Sequence, residues 1–245
     1  MVPKVTAITL QKMKRDGRKI VGVVAWDFQI AQIADRAGVD LVSVGDSVGV
    51  NLWGHATDAE VTLEEMLVCC KAVHRGARRA LVSCDLPLGA ARAGERSTVR
   101  AALRLAEEGG AEMVKLLGTP DLVRAVVKAG IPVFAEIHGE ALPADALVEQ
   151  ARRLQDAGAS LLDFRHSGAV AGPAVTQAVS IPVLGGLGGG PWLDGRLRLA
   201  HTAIGYAAKW IDSDSDTYGN AAKLSLEAFR ALIDDVRAGR QIKGG

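Results

Sequence analysis

Two short stretches of the sequence place an aspartate where an apolar run ends. In VSVGDSVGV, residues 42–50, Asp46 and Ser47 follow the run, and in ALVSCDLPLG, residues 80–89, Asp85 ends it. Carboxylate oxygens suit Mg²⁺, whose remaining coordination positions go to water and substrate. If the two runs form neighbouring strands, their carboxylates meet, so the repetition predicts a metal or substrate site. The alternative is that each Asp only caps a following turn.

Two more charged residues follow later apolar runs and can act on a bound anion. Lys115 stands near the end of EMVKLL, where its ammonium can neutralise a substrate carboxylate or an enolate oxygen. Alternatively, its stem only extends from the site towards water. Glu136 closes IPVFAEI and can serve as a metal ligand or as a general base. His138 lies two residues further on, and an isolated His is more often structural than catalytic.

A glycine-rich stretch, GGLGGGPWLDG at residues 185–195, can wrap backbone N–H groups around an anion. It matches neither a Walker A loop nor the G-x-G-x-x-G motif, so its signal is weak by itself. Two carboxylates, one lysine and a glycine loop together describe a 2-oxo acid held on a metal that stabilises its enolate. That chemistry forms or breaks a carbon–carbon bond next to a carbonyl group.

Strand-length apolar runs alternate with helical segments, and this alternation predicts the scaffold that positions the polar residues. Runs that are apolar on both faces indicate a parallel sheet covered by helices. Seven runs, with an eighth candidate in RLRLAH from residue 196, predict a single (β/α)₈ TIM barrel over residues 1–245. Active sites of such barrels lie at the carboxyl ends of the strands. The seven runs begin at residues 20, 40, 79, 111, 131, 159 and 181.

The composition narrows the class of partner. Lys and Arg number 29 against 28 Asp and Glu, so the net charge of +1 does not point to nucleic acid or to an anionic membrane surface. Small molecules or a second copy of the chain are the expected partners.

Without a signal-peptide pattern or a run of about 18 uncharged apolar residues, we expect a cytoplasmic protein. Cys69, Cys70 and Cys84 lack the spacing of a zinc or disulfide site, so we expect buried thiols.

Three stretches in the first half of the chain carry a resemblance to a known family. They are KMKRDGRKIVGVVAWDFQIAQIADRAGVDLVSVGDSVGVNLWGH, VTLEEMLVCCKAVHRGARRALVSCDLPLG and GAEMVKLLG. All three resemble ketopantoate hydroxymethyltransferases, which transfer a hydroxymethyl group from methylenetetrahydrofolate to 2-oxoisovalerate on the way to pantothenate. Weaker similarity continues in AGIPVFAEI, AGASLLDF and IPVLGGLGGGPWLDGRL.

The resemblance implies a barrel of the phosphoenolpyruvate mutase and isocitrate lyase type that forms homo-oligomers. It also implies a role for each matching residue. Asp46 and Asp85 bind Mg²⁺, and together with Ser47 they contact the 2-oxo acid. Lys115 holds the carboxylate or the oxygen of that acid.

Several positions depart from the family pattern. Leu117 replaces the Glu of Lys-Leu-Glu-Gly, and Glu136 replaces a His that normally precedes Gly-Leu-Thr-Pro-Gln; here the sequence reads IHGEALPADA. Arg165 aligns with the catalytic Glu of strand six, and Asp163 stands two residues before it. We therefore expect Glu136 to replace the lost metal ligand, and Asp163 or Glu136 to act as the base. The changes indicate a diverged member that uses a different 2-oxo acid or a different one-carbon or aldehyde donor.

Two other functions remain open at this point. One is a lyase or mutase of the phosphoenolpyruvate mutase type, although its Lys-Lys-Cys-Gly-His loop is absent from the sequence. The other is a non-catalytic barrel that serves as a binding subunit. Loss of two acidic positions favours the second alternative, and retention of Asp46, Ser47, Asp85 and Lys115 disfavours it.

Overall fold

Eight parallel strands form a closed barrel in sequence order. The computed structural model describes residues 3–139, 142–186, 189–213 and 216–244. The predicted (β/α)₈ barrel is confirmed, and its eighth strand forms where RLRLAH predicts it. The strands are β1 Ile20–Val24, β2 Leu41–Val44, β3 Leu81–Asp85, β4 Met113–Leu116, β5 Val133–His138, β6 Leu161–Arg165, β7 Val183–Gly185 and β8 Gly195–Leu199.

Helices occupy most of the connections between the strands, and their ends follow from local sequence. Thr119 caps one helix by accepting a hydrogen bond from Leu122 N, and Pro120 fits its first turn. Thr62 and Glu65 form a capping box at another. The α-helices in the described ranges are α1 Ala7–Arg15, α2 Phe28–Ala37, α3 Leu63–Gly76, α4 Leu88–Arg92, α5 Glu95–Glu107, α6 Pro120–Lys128, α7 Ala144–Asp156, α8 Ala171–Ala178, α9 Ala200–Ala203 and α10 Ala221–Arg237.

The turns that lead from helix to strand use glycine in the left-handed conformation. Gly130 after α6 has a φ of 86°, and Gly158 after α7 has a φ of 101°. A side chain at either position would strain the backbone, whereas glycine adopts this conformation readily. These turns lie at the amino ends of the strands, so they leave the opposite face of the barrel to the polar residues.

The barrel interior changes from apolar to charged along the strand direction. Alternate residues of a barrel strand point inwards, and the first inward layer is apolar, with Leu41, Leu81 and Phe134 fully or almost fully buried. Two residues further along, Ser83 donates a 2.8 Å hydrogen bond to Ser43 across neighbouring strands. Inward positions nearer the mouth carry the charged residues Asp85, Lys115, Glu136 and Asp163, one from each of β3 to β6.

The chain divides into two compact units, Met1–Arg198 and Leu199–Gly245. The first contains nearly all of the barrel, and the second contains α9 and α10. The assignment of residues 1–245 to one domain stays a prediction.

None of the helices described is both long enough and apolar enough to cross a membrane. Cys69, Cys70 and Cys84 are free and buried, as expected.

Candidate active site

The carboxyl ends of β2 to β6 surround an open cavity of about 200 Å³. Asp46 lies in the turn after β2, just before a π-helical segment, Gly49–Trp53, and Asp85 is the last residue of β3. Both line the cavity, so the structure brings these two predicted residues together. The other charged or titratable groups that line it are Asp58, Lys115, Glu136, His138 and Arg165.

Lys115 lies at the base of the cavity, within a cluster of carboxylates. Its Nζ is 2.9 Å from Glu136 Oε2, 3.0 Å from Asp163 Oδ2 and 3.4 Å from Asp85 Oδ2. Burial lowers the pKa of Lys115, but these three carboxylates outweigh it and hold that pKa well above its usual value. The ammonium therefore stays charged. Its three N–H donors face three carboxylates, which leaves none for a substrate anion.

Glu136 shares its two oxygens among three partners. Oε2 pairs with Lys115, while Oε1 lies 2.6 Å from His138 Nε2 and 3.3 Å from Arg165 Nη1. Burial raises the pKa of Glu136, but Lys115 and then His138 and Arg165 outweigh it and lower that pKa to about 2. Glu136 is therefore an ionised acceptor at neutral pH, so its partner nitrogen His138 Nε2 must carry a proton. A carboxylate held in this way is a poor proton acceptor.

Asp163 lies deeper in the barrel than the residues of the mouth. It is 2% exposed, pairs in register with Glu136 and is not part of the cavity lining. Its Oδ2 contacts Lys115, and its Oδ1 is buried without a hydrogen-bond partner in the described part of the chain. A contact from β6 to β4 is possible only through the barrel interior. Asp163 therefore supports Lys115 from below and does not reach the cavity.

The carboxylates of Asp46 and Asp85 are destabilised in their ionised form. Burial raises the pKa of Asp85 to about 7; Lys115 opposes this shift, and Asp46, Glu136 and Asp163 add to it. Burial also raises the pKa of Asp46. Asp85 Oδ1 is buried with no hydrogen-bond partner among the described residues. A cation between Asp46 and Asp85 would satisfy this oxygen and restore both charges, so the pair fits a divalent metal ion.

The structure does not bring Glu136 into a metal-binding group with Asp46 and Asp85. Across the described ranges, no set of three or more His, Cys, Asp and Glu side chains is arranged to hold a metal ion. The physical reason is that both oxygens of Glu136 face Lys115, His138 and Arg165. Two protein carboxylates with substrate and water is the arrangement that remains, and Mg²⁺ commonly adopts it.

The other residues singled out in the sequence have separate positions. Ser47 is half-buried beside Asp46 but outside the cavity lining, and its carbonyl accepts a hydrogen bond from Asn51 Nδ2. Asp27, three residues after the end of β1, caps α2 by accepting a hydrogen bond from Ile30 N. Of the glycine stretch 185–195, residues 187 and 188 lie outside the described residues, as do residues 140 and 141 of IHGEALPADA. An anion site in the glycine stretch stays a prediction.

Two residues of the cavity were missed as functional candidates. His138 was treated as structural, and Arg165 only as a replacement for a lost Glu. Both face Glu136 because His138 and Arg165 are partners in the register of β5 and β6. The available signal was the period of two along β5, which places Glu136 and His138 on the same face of the strand.

Comparison with known proteins identifies the family. The model of the ketopantoate hydroxymethyltransferase family matches residues 4–241. The chain belongs to this family. It is 33% identical over 257 residues to the 3-methyl-2-oxobutanoate hydroxymethyltransferase of Trichlorobacter lovleyi, covering 98% of this chain and 96% of the relative. It is 36% identical over 254 residues to that of Alkalilimnicola ehrlichii, covering 96% and 91%.

Solved structures of similar fold are more distant in sequence. Oxaloacetate acetylhydrolase superposes with a TM-score of 0.67 at 15% identity, covering 99% of this chain and 100% of the other. Phosphonopyruvate hydrolase, in a complex with oxalate and Mg²⁺, gives 0.63 at 15% identity, covering 96% and 88%. 2,3-Dimethylmalate lyase, described as a member of the PEP mutase/isocitrate lyase superfamily, gives 0.64 at 16% identity, covering 96% and 99%. At this identity the likeness shows the fold alone, and it confirms the predicted barrel type.

Membership of the ketopantoate hydroxymethyltransferase family confirms the predicted class of enzyme. The protein is a transferase-type enzyme that resembles ketopantoate hydroxymethyltransferase, and the family supports carbon–carbon bond formation. The matched range, residues 4–241, includes both halves of the mouth.

Proposed function

We propose that this protein is a metal-dependent hydroxymethyltransferase or aldolase-like enzyme that extends a 2-oxo acid at C3. The observation that carries the proposal is the pair Asp46 and Asp85, which faces one cavity at the barrel mouth with a buried oxygen unsatisfied. Relatives named 3-methyl-2-oxobutanoate hydroxymethyltransferase support a 2-oxo acid as the substrate. A similar fold binds oxalate together with Mg²⁺, which supports the same combination of ligands.

Asp46 and Asp85 are the proposed metal ligands and the proposed contacts of the 2-oxo acid. Contact of Ser47 with the acid stays a prediction, because Ser47 lies beside Asp46 but outside the cavity lining. A divalent cation here, Mg²⁺ in our proposal, would act as a Lewis acid on the carbonyl and make the C3 hydrogen acidic. The side chains prepare the site in two ways. Burial raises the pKa of both Asp46 and Asp85, so a bound cation would stabilise their ionised form. Their position on adjacent strand ends fixes the orientation of the carbonyl.

Of the two roles that the sequence left open for Lys115, the contacts of its ammonium favour stabilisation of an enolate over binding of the substrate carboxylate. Its ammonium is held by Asp85, Glu136 and Asp163, so it fixes the position of Asp85 and places one positive charge under the reacting atoms. That charge stabilises the negative charge that develops as the C3 proton leaves. We propose that Lys115 acts electrostatically and does not clamp the substrate carboxylate.

We propose His138 as the group that accepts the C3 proton. Glu136 was the candidate from the sequence, with Asp163, but the first is held ionised at low pKa and the second lies outside the cavity lining. His138 lines the cavity, and its side chain is 40% exposed. With the proton on Nε2 directed to Glu136, its Nδ1 is the acceptor nitrogen. Glu136 then positions the base, as carboxylates often do for histidine.

The second substrate supplies one carbon, as methylenetetrahydrofolate or as an aldehyde. The relatives' name specifies hydroxymethyl transfer, and an aldehyde would react with the same enolate. Participation in pantothenate or a related biosynthesis, the cytoplasmic location and the homo-oligomeric state stay predictions.

The test is turnover of 2-oxoisovalerate with formaldehyde, and separately with methylenetetrahydrofolate, followed by mass spectrometry. We expect a product one hydroxymethyl group heavier in the presence of MgCl₂ and none with EDTA. Asp85→Asn should abolish it, whereas Asp58→Asn, which changes another acid lining the cavity, should retain most of it. Metal-independent turnover, or equal activity of Asp85→Asn and wild type, would contradict the proposed site.

A further inference from the structure

Arg165 presents unused hydrogen-bond donors to the cavity. It ends β6, its side chain is 35% exposed, and it lines the cavity. Nη1 lies 3.3 Å from Glu136 Oε1, and this is the one side-chain hydrogen bond or ion pair of Arg165 in the part of the chain that the structure describes. Nε and Nη2 therefore remain for a ligand. A guanidinium edge with two such donors matches the geometry of a carboxylate.

The other cation of the lining is already satisfied. Lys115 faces Asp85, Glu136 and Asp163, so it has no donor to give to an incoming anion. Once a divalent cation has neutralised Asp46 and Asp85, the positive charges of Lys115 and Arg165 balance the negative charges of Glu136 and Asp163. Among the described residues that line the cavity, Arg165 is then the cation that still has hydrogen-bond donors for a ligand. A ligand carboxylate would find its partner there.

The position of Arg165 relative to the metal pair decides which carboxylate it meets. Asp46 follows β2 and Asp85 ends β3, whereas Arg165 ends β6. Lys115 on β4 and Glu136 on β5 lie between Asp85 and Arg165. A 2-oxo acid whose carbonyl end lies at the metal pair directs its side chain away from that pair. The far wall of the cavity, with Arg165, therefore meets the end of the side chain.

We propose that Arg165 binds a carboxylate at the end of the substrate's side chain, so that the enzyme prefers dicarboxylic 2-oxo acids to apolar ones. The inference rests on the proposed function, because it takes the carbonyl end to lie at Asp46 and Asp85. It specifies the class of 2-oxo acid that this site takes. Glu136 holds Arg165 by one nitrogen, which leaves its other donors to a ligand in the cavity that Arg165 lines.

The test compares two 2-oxo acids of matched shape, 2-oxoglutarate and 5-methyl-2-oxohexanoate. Exchange of their C3 hydrogens with D₂O is followed by NMR with MgCl₂, and binding of each is measured by calorimetry. We expect kcat/KM for exchange to favour 2-oxoglutarate by about tenfold or more, the size of a charge-assisted hydrogen bond. Arg165→Met should bring this ratio close to one, and Arg165→Lys should restore part of it. Arg152→Met, on the exposed side of α7, should keep the wild-type ratio.

The outcomes separate this inference from the proposed function. Exchange of both acids with no preference in the wild type, or a preference that survives in Arg165→Met, overturns the inference and leaves the proposed function standing. Calorimetric binding of 2-oxoglutarate that depends on Arg165, without exchange, supports the inference and overturns the proposed function. Because no one-carbon donor is present, a carboxylate carried by the donor cannot produce the preference.

Discussion

The two sides of the barrel mouth have different relations to the family. On the side of β2 and β3, the resemblance in sequence takes Asp46, Ser47 and Asp85 as matches to the family pattern, and burial raises the pKa of both aspartates. On the side of β5 and β6, the same resemblance takes Glu136 and Arg165 as replacements, and their charges are paired with each other. The first side thus lacks a cation, whereas on the second side Glu136 is already paired and Arg165 keeps hydrogen-bond donors for a ligand.

This difference separates the chemistry from the choice of substrate. The side with unsatisfied carboxylates is suited to a metal ion and to the carbonyl, which every member of a 2-oxo acid family must bind. The rebuilt side lies where the rest of the substrate and the base must be. Under this proposal, a change at Arg165 can alter the substrate while the enolising step is kept.

The two sides meet at Lys115, and its removal should have the largest effect. Lys115→Met leaves Asp85, Glu136 and Asp163 without their shared cation, and breaking a buried pair in this way costs about 3–5 kcal/mol of unfolding free energy. Urea unfolding at pH 7 measures it. Lys128→Met, an exposed lysine of α6, should change stability by less than about 0.5 kcal/mol. Equal stability of the two variants would show that the cluster is not held by this ammonium.

The two sides should also respond to pH with opposite signs. Asp85 has a folded-state pKa raised from 3.8 to about 7, so its contribution to stability is present below about pH 4 and is lost as pH rises to 7. Glu136 has a pKa lowered from 4.5 to about 2, so its contribution is present above about pH 4.5 and is lost as pH falls to 2.

Unfolding in EDTA between pH 4 and 8 isolates the first effect. We expect wild type to lose about 2 kcal/mol or more relative to Asp85→Asn over this range, at about 1.4 kcal/mol per pKa unit. Adding MgCl₂ should remove most of the difference at pH 8, because a bound cation favours the ionised carboxylate. Parallel pH curves for the two proteins in EDTA would refute the raised pKa of Asp85.

Glu136→Gln should give an intermediate effect confined to catalysis on the rebuilt side. The amide keeps the size of the side chain but loses the charge that positions His138 and Arg165, so we expect kcat to fall about tenfold to a hundredfold. Steady-state turnover of 2-oxoisovalerate measures it, and Glu136→Asp should recover part of the loss. Glu149→Gln, in an exposed ion pair with Arg153 on α7, is the control and should match wild type. A decrease in metal affinity alone would favour the original assignment of Glu136 as a ligand.

The smallest effect concerns the carboxylate that this chain lacks at position 117. Leu117 is 50% exposed at the edge of the cavity, so Leu117→Glu should change the unfolding free energy by less than about 0.5 kcal/mol. Its neighbour Leu116 is 2% exposed, and Leu116→Ala should cost about 3 kcal/mol. Thermal unfolding compares the two. A large loss of unfolding free energy in Leu117→Glu would mean that Leu117 is needed for stability. The presence of leucine at this position would then carry no information about the substrate.

Seven of the strands were predictable because a buried parallel strand is apolar on both faces and appears as an apolar run. The eighth, β8, alternates leucine with arginine, so its signal was weaker. The short helices α4 and α9 and the π-helical segment after Asp46 lie outside the predicted alternation of one helix with each strand, because short helices depend on tertiary contacts more than on periodicity. The positions of Asp46, Asp85, Lys115 and Glu136 followed from the rule that strand ends meet at one face.

The roles within that face were less predictable. Sequence placed Glu136 at the mouth but not the three partners of its oxygens, since these depend on strand register and on contacts through the barrel interior. The same reason explains Asp163, which ends below the cavity, and Arg165, which was read as a lost Glu. Charge pairing between strands is a property of the closed barrel and is not visible along one strand.

The most direct test of the central claim is C3 deuterium exchange of 2-oxoisovalerate in D₂O, followed by ¹H NMR. The account predicts that the methyl doublet collapses to a singlet with wild type and MgCl₂, and that EDTA stops this. It also predicts that Asp85→Asn slows exchange by a factor on the order of a thousand while remaining folded. Exchange that is unaffected by EDTA and by Asp85→Asn would contradict the claim that Asp46 and Asp85 hold the metal that enolises the substrate.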